Sequence, residues 1–219
     1  VRKKLQRFAD NAASYNVIEL GKPSYETIKG RWNEHFKNDY PLVVELGCGR
    51  GEYTVGLAER YPEKNFIGVD IKGARIWVGS TYAKYEGLDN AAFLRTKVQQ
   101  IDAFFAPDEV SEIWITFPDP RPRDRDEKRR LTYPGLMLIY QSLLKTDGWV
   151  KFKTDNTDLF NYTLEMIDEG QINVKNLSYT HDLYTSEYQD EHFGLKTKYE
   201  GIFTEKGEKI KYMKFQFSV

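Results

Sequence analysis

The sequence predicts an α/β protein built on one mostly parallel, seven-stranded sheet with helices on both faces. Three observations carry that prediction. From residue 41 onward, short apolar runs alternate with segments of helical period. The first run, Leu42-Val43-Val44-Glu45-Leu46, ends in three alternate glycines, Gly47, Gly49 and Gly51, and a helical pattern follows. Glycines there let the chain turn sharply and approach a ligand, and the next helix starts with free N–H groups. The second run closes on an acid, Asp70, at roughly the 20-residue spacing of a carboxylate that accepts ribose hydroxyls.

Taken in order, residues 1–40 read as a basic N-terminal arm, packed on the domain or flexible against it. Arg2, Lys3, Lys4 and Arg7 supply its charge, and Tyr15, Val17, Ile18 and Trp32 its anchors. Residues 41–219 form the α/β domain. Strand one spans 42–48 and is followed by a helix over 52–60, stopped at Tyr61-Pro62. Residues 65–70 make strand two, and 74–85 a helix closed by Gly87. The third strand covers 91–98, with a helical turn at 99–105. Residues 111–117 form strand four, ended by Pro118-Asp119-Pro120. Leu136, Met137, Ile139, Tyr140, Leu143 and Leu144 give 133–145 a helical period. Strand five falls at 149–154, a helix at 156–167, and two last strands near 172–180 and 210–219. Such repeated units make right-handed crossovers.

The 219 residues carry 32 Lys and Arg against 33 Asp and Glu, a net charge of -1. An anionic partner must therefore be held by local patches, not by the mean field of the protein. Cys48 is the single cysteine, so no disulfide framework exists, and a reducing cytoplasm fits. His35, His181 and His192 have no ligand spacing, so no metal is expected. No run is long enough to span a membrane, and the start, Val1-Arg2-Lys3-Lys4, lacks the apolar segment expected of a signal peptide.

The ligand is expected beyond the carboxyl ends of the strands. A dinucleotide needs its pyrophosphate on the helix start and the spacing G-x-G-x-x-G. Here the third glycine comes one residue early, and Glu52 at the helix start would repel a pyrophosphate. S-adenosylmethionine has no phosphate, and its ammonium tolerates acids such as Glu45 or Glu52. The sign of the charge favours that cofactor over NAD. Asp119, restrained by prolines on both sides, stands at the rim. Residues 121–130 follow, six of the ten basic and three acidic, a loop expected to gain order from a partner. Its guanidinium groups suit phosphate. Asp155 ends the fifth strand and should stand near Asp119.

Together these residues resemble the bacterial tRNA (guanine-N7-)-methyltransferase family. The resemblance rests on Glu45-Leu46-Gly47-Cys48-Gly49-Arg50-Gly51, Gly68-Val69-Asp70, Phe117-Pro118-Asp119-Pro120 and Lys128-Arg129-Arg130-Leu131. Lys153-Thr154-Asp155 and Thr197-Lys198-Tyr199-Glu200 complete it. It implies the Rossmann-like class I S-adenosylmethionine-dependent methyltransferase fold. The activity it implies is methyl transfer to guanine N7 in the variable loop of tRNA, usually at position 46. Glu45, Gly47, Gly49, Gly51, Asp70, Lys97 and Asp119 would then hold the cofactor, with Asp119 catalytic. Arg123, Asp155, Thr197, Lys198, Tyr199 and Glu200 would meet the substrate, the last four from a C-terminal region near 181–205. Arg121, Arg125, Lys128, Arg129 and Arg130 are phosphate-binding candidates. Members occur as monomers and as homodimers. Arg121 stands where the family has tryptophan, Arg123 where lysine is common, and Lys97 where an acid is usual. The rival readings are a small-molecule methyltransferase, an NAD oxidoreductase and a non-catalytic RNA-binding protein.

Overall fold

The computed structural model describes residues 2–205 and 207–218, without the side chains of Arg2, Lys198, Tyr199 and Phe203. Strands β1 (Val17–Ile18), β2 (Leu42–Leu46), β3 (Asn65–Asp70), β4 (Ala91–Arg95), β5 (Val110–Thr116), β6 (Leu144–Thr154), β7 (Val174–Thr180) and β8 (Lys211–Phe217) form one sheet. Their order across it is β1-β4-β3-β2-β5-β6-β8-β7. All neighbours are parallel except β8, which is antiparallel to both β6 and β7. The chain builds outward from β2 through β3 and β4, then returns to β5 on the other side. The order therefore reverses between β2 and β5, and the carboxyl ends of those two strands are where folds of this kind take their ligand.

The sheet has eight strands where the sequence predicts seven. The extra one is β1, which lies inside the basic arm and pairs with β4. Its two residues are 1% and 0% exposed, yet two residues are too few to show a period. A second difference is at β6, which starts at Leu144 and not at 149. Leu144 pairs with Val110, the register then shifts, and pairing resumes at Glu112 with Trp149. The intervening residues bulge out, with Asp147 at φ 65°.

Helices α1 (Arg2–Ala13), α2 (Pro23–Thr27), α3 (Trp32–Phe36), α4 (Glu52–Arg60), α5 (Gly73–Glu86), α6 (Pro134–Leu143), α7 (Thr157–Asp168) and α8 (Lys198–Glu205) surround the sheet. One face buries Trp32, Phe36, Leu136, Tyr140, Leu159 and Phe160 from α3, α6 and α7. The other buries Tyr53, Leu57, Ile76 and Ala83 from α4 and α5, together with Trp114, Leu183 and Tyr212. Both faces covered is the condition under which parallel strands read as continuous apolar runs. Helix α1 lies on α5. Asn11 Nδ2 donates to Gly73 O at 2.8 Å, Trp77 Nε1 donates to Asp10 Oδ2 at 2.7 Å, and the Arg7 guanidinium sits 4.7 Å from the Trp77 ring.

Candidate active site

The glycine turn leaves β2 with its backbone tied to β3. Gly47 N and Cys48 N both donate to Val69 O, at 2.8 and 3.0 Å. Gly47, Gly49 and Gly51 all take positive φ, 74°, 57° and 73°, a conformation that L side chains resist. Gly51 is also the left-handed residue that starts α4. A Cβ on Gly49 would meet nothing nearer than Gly47 O at 4.0 Å, so the turn keeps an open side there.

Two carboxylates brace the turn. Asp70, at the end of β3, accepts from Gly49 N at 3.0 Å and from Lys72 N at 2.7 Å. Glu45 lies beneath, 3% exposed. One of its oxygens accepts from Thr54 N at 2.9 Å and from the Thr54 hydroxyl, the other from Thr116 Oγ1 at 2.5 Å. Glu45 thus joins β2, α4 and β5 from below the loop, a bracing role that the sequence does not announce. Neither threonine is suggested by any motif, because only the fold brings them to the acid.

Burial pushes the Glu45 carboxyl from 4.5 up to about 7, against the opposing pull of the threonine hydrogen bonds. The folded state therefore holds this proton more tightly than the unfolded chain. Between about pH 4.5 and 7, raising the pH removes stability, and above pH 7 the full cost is present, on the order of 3 kcal/mol. Glu45→Gln keeps an acceptor for Thr54 and a donor for Thr116 without a charge. We expect the urea midpoint of this variant to vary less from pH 5 to 7 than that of the parent. Parallel curves would contradict the assignment.

Asp119 follows β5 at the same edge. Phe117 N donates to Lys153 O at 2.9 Å, which pins the start of the loop to β6. Phe117 and Arg121 sit at φ 47° and 48°, so two left-handed residues bracket Pro118-Asp119-Pro120. Each such residue costs of order 1–2 kcal/mol. The outcome is an Asp119 side chain 63% exposed at the rim, with Arg121 Nη2 at 3.1 Å from its Oδ2. Arg121, at the position of the family tryptophan, is therefore the ionic partner of the rim acid.

The charged loop follows a path held by contacts within the protein. Residues 124–129 make a 3-10 turn. Arg130 stacks 4.3 Å from the Tyr162 ring and donates to Arg121 O at 3.2 Å, while the Tyr162 hydroxyl donates to Glu127 at 2.9 Å. Tyr162 arrives from α7, a long-range anchor that composition cannot reveal. Arg130 is thus occupied within the protein, and Arg129 pairs with Asp126 at 3.0 Å. Arg123, Arg125 and Lys128 are exposed and make no ion pair among the described residues. They are the groups most open to a phosphate.

Asp155, half-buried, follows β6, the neighbour of β5, and burial raises its carboxyl above the ordinary range. Lys97 is exposed just beyond β4. At the C-terminal region the structure corrects one expectation. Glu200 does not present its carboxylate to a substrate: it is 0% exposed, 2.9 Å from Lys153 Nζ, and accepts from the Tyr184 hydroxyl at 2.5 Å. Thr197 and Glu200 form a capping box at the start of α8, with Glu200 N to Thr197 Oγ1 at 3.1 Å and Thr197 N to Glu200 Oε2 at 3.4 Å. The side chains of Lys198 and Tyr199 lie outside the described residues. Lys153, named in the sequence only as part of Lys153-Thr154-Asp155 and given no role there, is fully buried. Burial lowers its pKa from the usual lysine value, and Glu200 opposes that shift. A lysine inside an apolar strand is the signal that could have found it.

Glycine turn, Asp70, Asp119 and Asp155 thus all lie at the carboxyl ends of the parallel strands β2, β3, β5 and β6. Among the described residues no group of three or more His, Cys, Asp and Glu could hold a metal, and no helix is long and apolar enough to cross a membrane.

Residues 39–213 match a family model described as "Putative methyltransferase". A protein of Cytophaga hutchinsonii named tRNA (guanine-N(7)-)-methyltransferase is 50% identical over 216 residues, covering 99% of this chain and 98% of its own. A Bacteroides fragilis protein of the same name is 47% identical over 219 residues, 98% of this chain and 85% of its own. Among solved structures, a 16S rRNA methyltransferase, KamB, superposes with a TM-score of 0.63 at 11% identity over 93% of this chain and 99% of its own. An antibiotic-related methyltransferase gives 0.62 at 15% identity over 94% and 98%. At such identities the likeness is one of fold alone.

Proposed function

The chain belongs to the tRNA (guanine-N7-)-methyltransferase family, and from that premise we infer that it transfers a methyl group from S-adenosylmethionine to N7 of a guanine in tRNA. Its fold is the Rossmann-like class I fold of S-adenosylmethionine-dependent methyltransferases. The observation that carries the reading is the meeting of the glycine turn, Asp70 and Asp119 at one sheet edge, in a chain that aligns with such enzymes over nearly its whole length.

The residues present fit the cofactor. The open side of Gly49 is a cradle that any side chain would fill. Asp70 stays half-exposed beside it, and each of its oxygens retains a lone pair beyond the backbone bond it accepts. The acids at this edge suit a cation and would repel a pyrophosphate. When bound, S-adenosylmethionine supplies a methyl carbon whose bond to a cationic sulfur breaks as a bond to N7 forms.

Guanine N7 carries an in-plane lone pair and loses no proton on methylation. The protein therefore needs no strong base. Its work is to place the base in line and to manage charge. Positive charge appears on the guanine ring, so a carboxylate that meets N1–H and the exocyclic amine binds the ring more tightly as the reaction proceeds. Asp119 is exposed at the rim, available for that task, with Asp155 just beyond the end of the adjacent strand β6. Arg123, Arg125 and Lys128 offer phosphate contacts that hold the RNA without reading its sequence. In folded tRNA the target base must leave its tertiary contacts to reach this edge.

The test is to incubate the protein with unmodified tRNA and labelled S-adenosylmethionine, digest the RNA and map the product. We expect the label in N7-methylguanosine from the variable loop, at position 46. Label in another nucleoside, or in a small molecule with no RNA present, would overturn the reading.

A further inference from the structure

One buried ammonium lies among three of the segments that come together near the rim. Lys153 Nζ lies 2.9 Å from Glu200 Oε1 in α8. It is 5.1 Å from the ring centroid of Tyr53, in the first turn of α4, and 5.8 Å from that of Phe117, which opens the Asp119 loop. Its own carbonyl accepts from Phe117 N. Both members of the ion pair are 0% exposed.

A buried ion pair adds little stability over apolar packing of the same shape, because desolvation offsets most of the attraction. What it adds is direction, since in a dry setting the attraction is strong and a charge that loses its hydrogen-bonded partner is costly. The Glu200 carboxylate also closes the capping box, so to hold that carboxylate is to hold the first turn of α8. A second lysine on the same strand, Lys151, pairs with Glu191 at 3.3 Å. The C-terminal region is thus pinned to β6 by two charges, and of the two only Lys153 also lies beside Tyr53 of α4 and Phe117 at the start of the Asp119 loop.

We propose that Lys153 is a positioning residue for the tRNA reaction: it locks helix 198–205 to the glycine-turn helix and to the Asp119 loop, so that the three hold one geometry when RNA docks. This rests on the methyl-transfer reading above. Lys153 is too buried to touch the substrate and acts through Glu200.

Lys153→Met removes the charge at similar volume. We expect kcat/KM for tRNA to fall about 100-fold, the scale on which misplaced groups lose rate, with part of the loss in KM for tRNA. The dissociation constant for S-adenosylmethionine should stay unchanged, and limited proteolysis should cut within 181–209 faster. The pair Lys153→Met/Glu200→Gln leaves neither position charged and keeps the cap at the start of α8, so its Tm should return toward that of the parent. Its kcat/KM for tRNA should stay low. Full recovery of kcat/KM in that double variant would overturn the proposal, because Lys153 would then be only a charge partner. Parental kcat/KM in Lys153→Met would do the same. If the parent makes no N7-methylguanosine, the functional reading fails by itself. Proteolysis still reports on the latch in that case, and unchanged cleavage in Lys153→Met would sink it.

Discussion

Asp119→Asn is expected to lower single-turnover methylation of tRNA by about 100- to 1,000-fold, the range seen when one preorganised electrostatic partner is removed from a reacting centre. The change is nearly isosteric. Asn can still accept from Arg121 N, so the loop between Phe117 and Arg121 should keep its path. What disappears is a negative charge aimed outward from a side chain 63% exposed at the carboxyl edge. That charge matters little to a neutral guanine and much to a cationic one, so the loss should fall on turnover. Binding of S-adenosylmethionine, read by calorimetry, should survive, because the glycine turn and Asp70 are untouched. The ion pair with Arg121 also predicts a side effect: the freed guanidinium adds a positive charge at the rim, so KM for tRNA should not rise. Turnover equal to the parent would remove Asp119 from the reaction and leave Asp155 as the acid to examine.

Gly51→Ala should be the most damaging of single methyl additions. Gly51 has φ 73°, and an added Cβ would lie 2.9 Å from Phe93 Cζ and 3.4 Å from Gly79 Cα. Phe93 is itself 0% exposed, in the middle of β4, so its ring has no room to retreat. Left-handed backbone and overpacking together cost about 2–5 kcal/mol. For a chain of this size that lowers Tm by roughly 5–15 °C. The same shift displaces the start of α4 and with it the Gly49 amide that meets Asp70, so cofactor affinity should fall as well. Gly87→Ala provides the contrast. It has a similar φ of 69°, but an added Cβ there meets nothing within 4 Å, so only the backbone cost remains. Equal Tm losses in the two variants would show that contact with Phe93 contributes nothing.

Local features carried much of this protein in plain view. The glycine spacing, the closing acid of β3, the prolines around Asp119 and the alternation of strand and helix are all short-range, and each has a conformational meaning of its own. They are enough to set the sheet and to put Gly47 to Gly51, Asp70 and Asp119 at one edge, because parallel strands all present their carboxyl ends on the same side. Charge sign alone also favoured a sulfonium cofactor over a dinucleotide.

Other features depend on residues far apart in the chain, and no window of sequence contains them. β1 exists because Val17 and Ile18 find β4 some 76 residues later. The charged loop takes its path against α7 because Tyr162 comes across to stack on Arg130. Thr197-Lys198-Tyr199-Glu200 looks like a polar patch for a substrate, yet Glu200 turns inward to meet Lys153, while the motif caps a helix. Pattern and composition report what each segment prefers in water. Whether a carboxylate faces solvent or a buried ammonium is decided by which partner the fold brings within about 3 Å, where desolvation and Coulomb attraction are settled together.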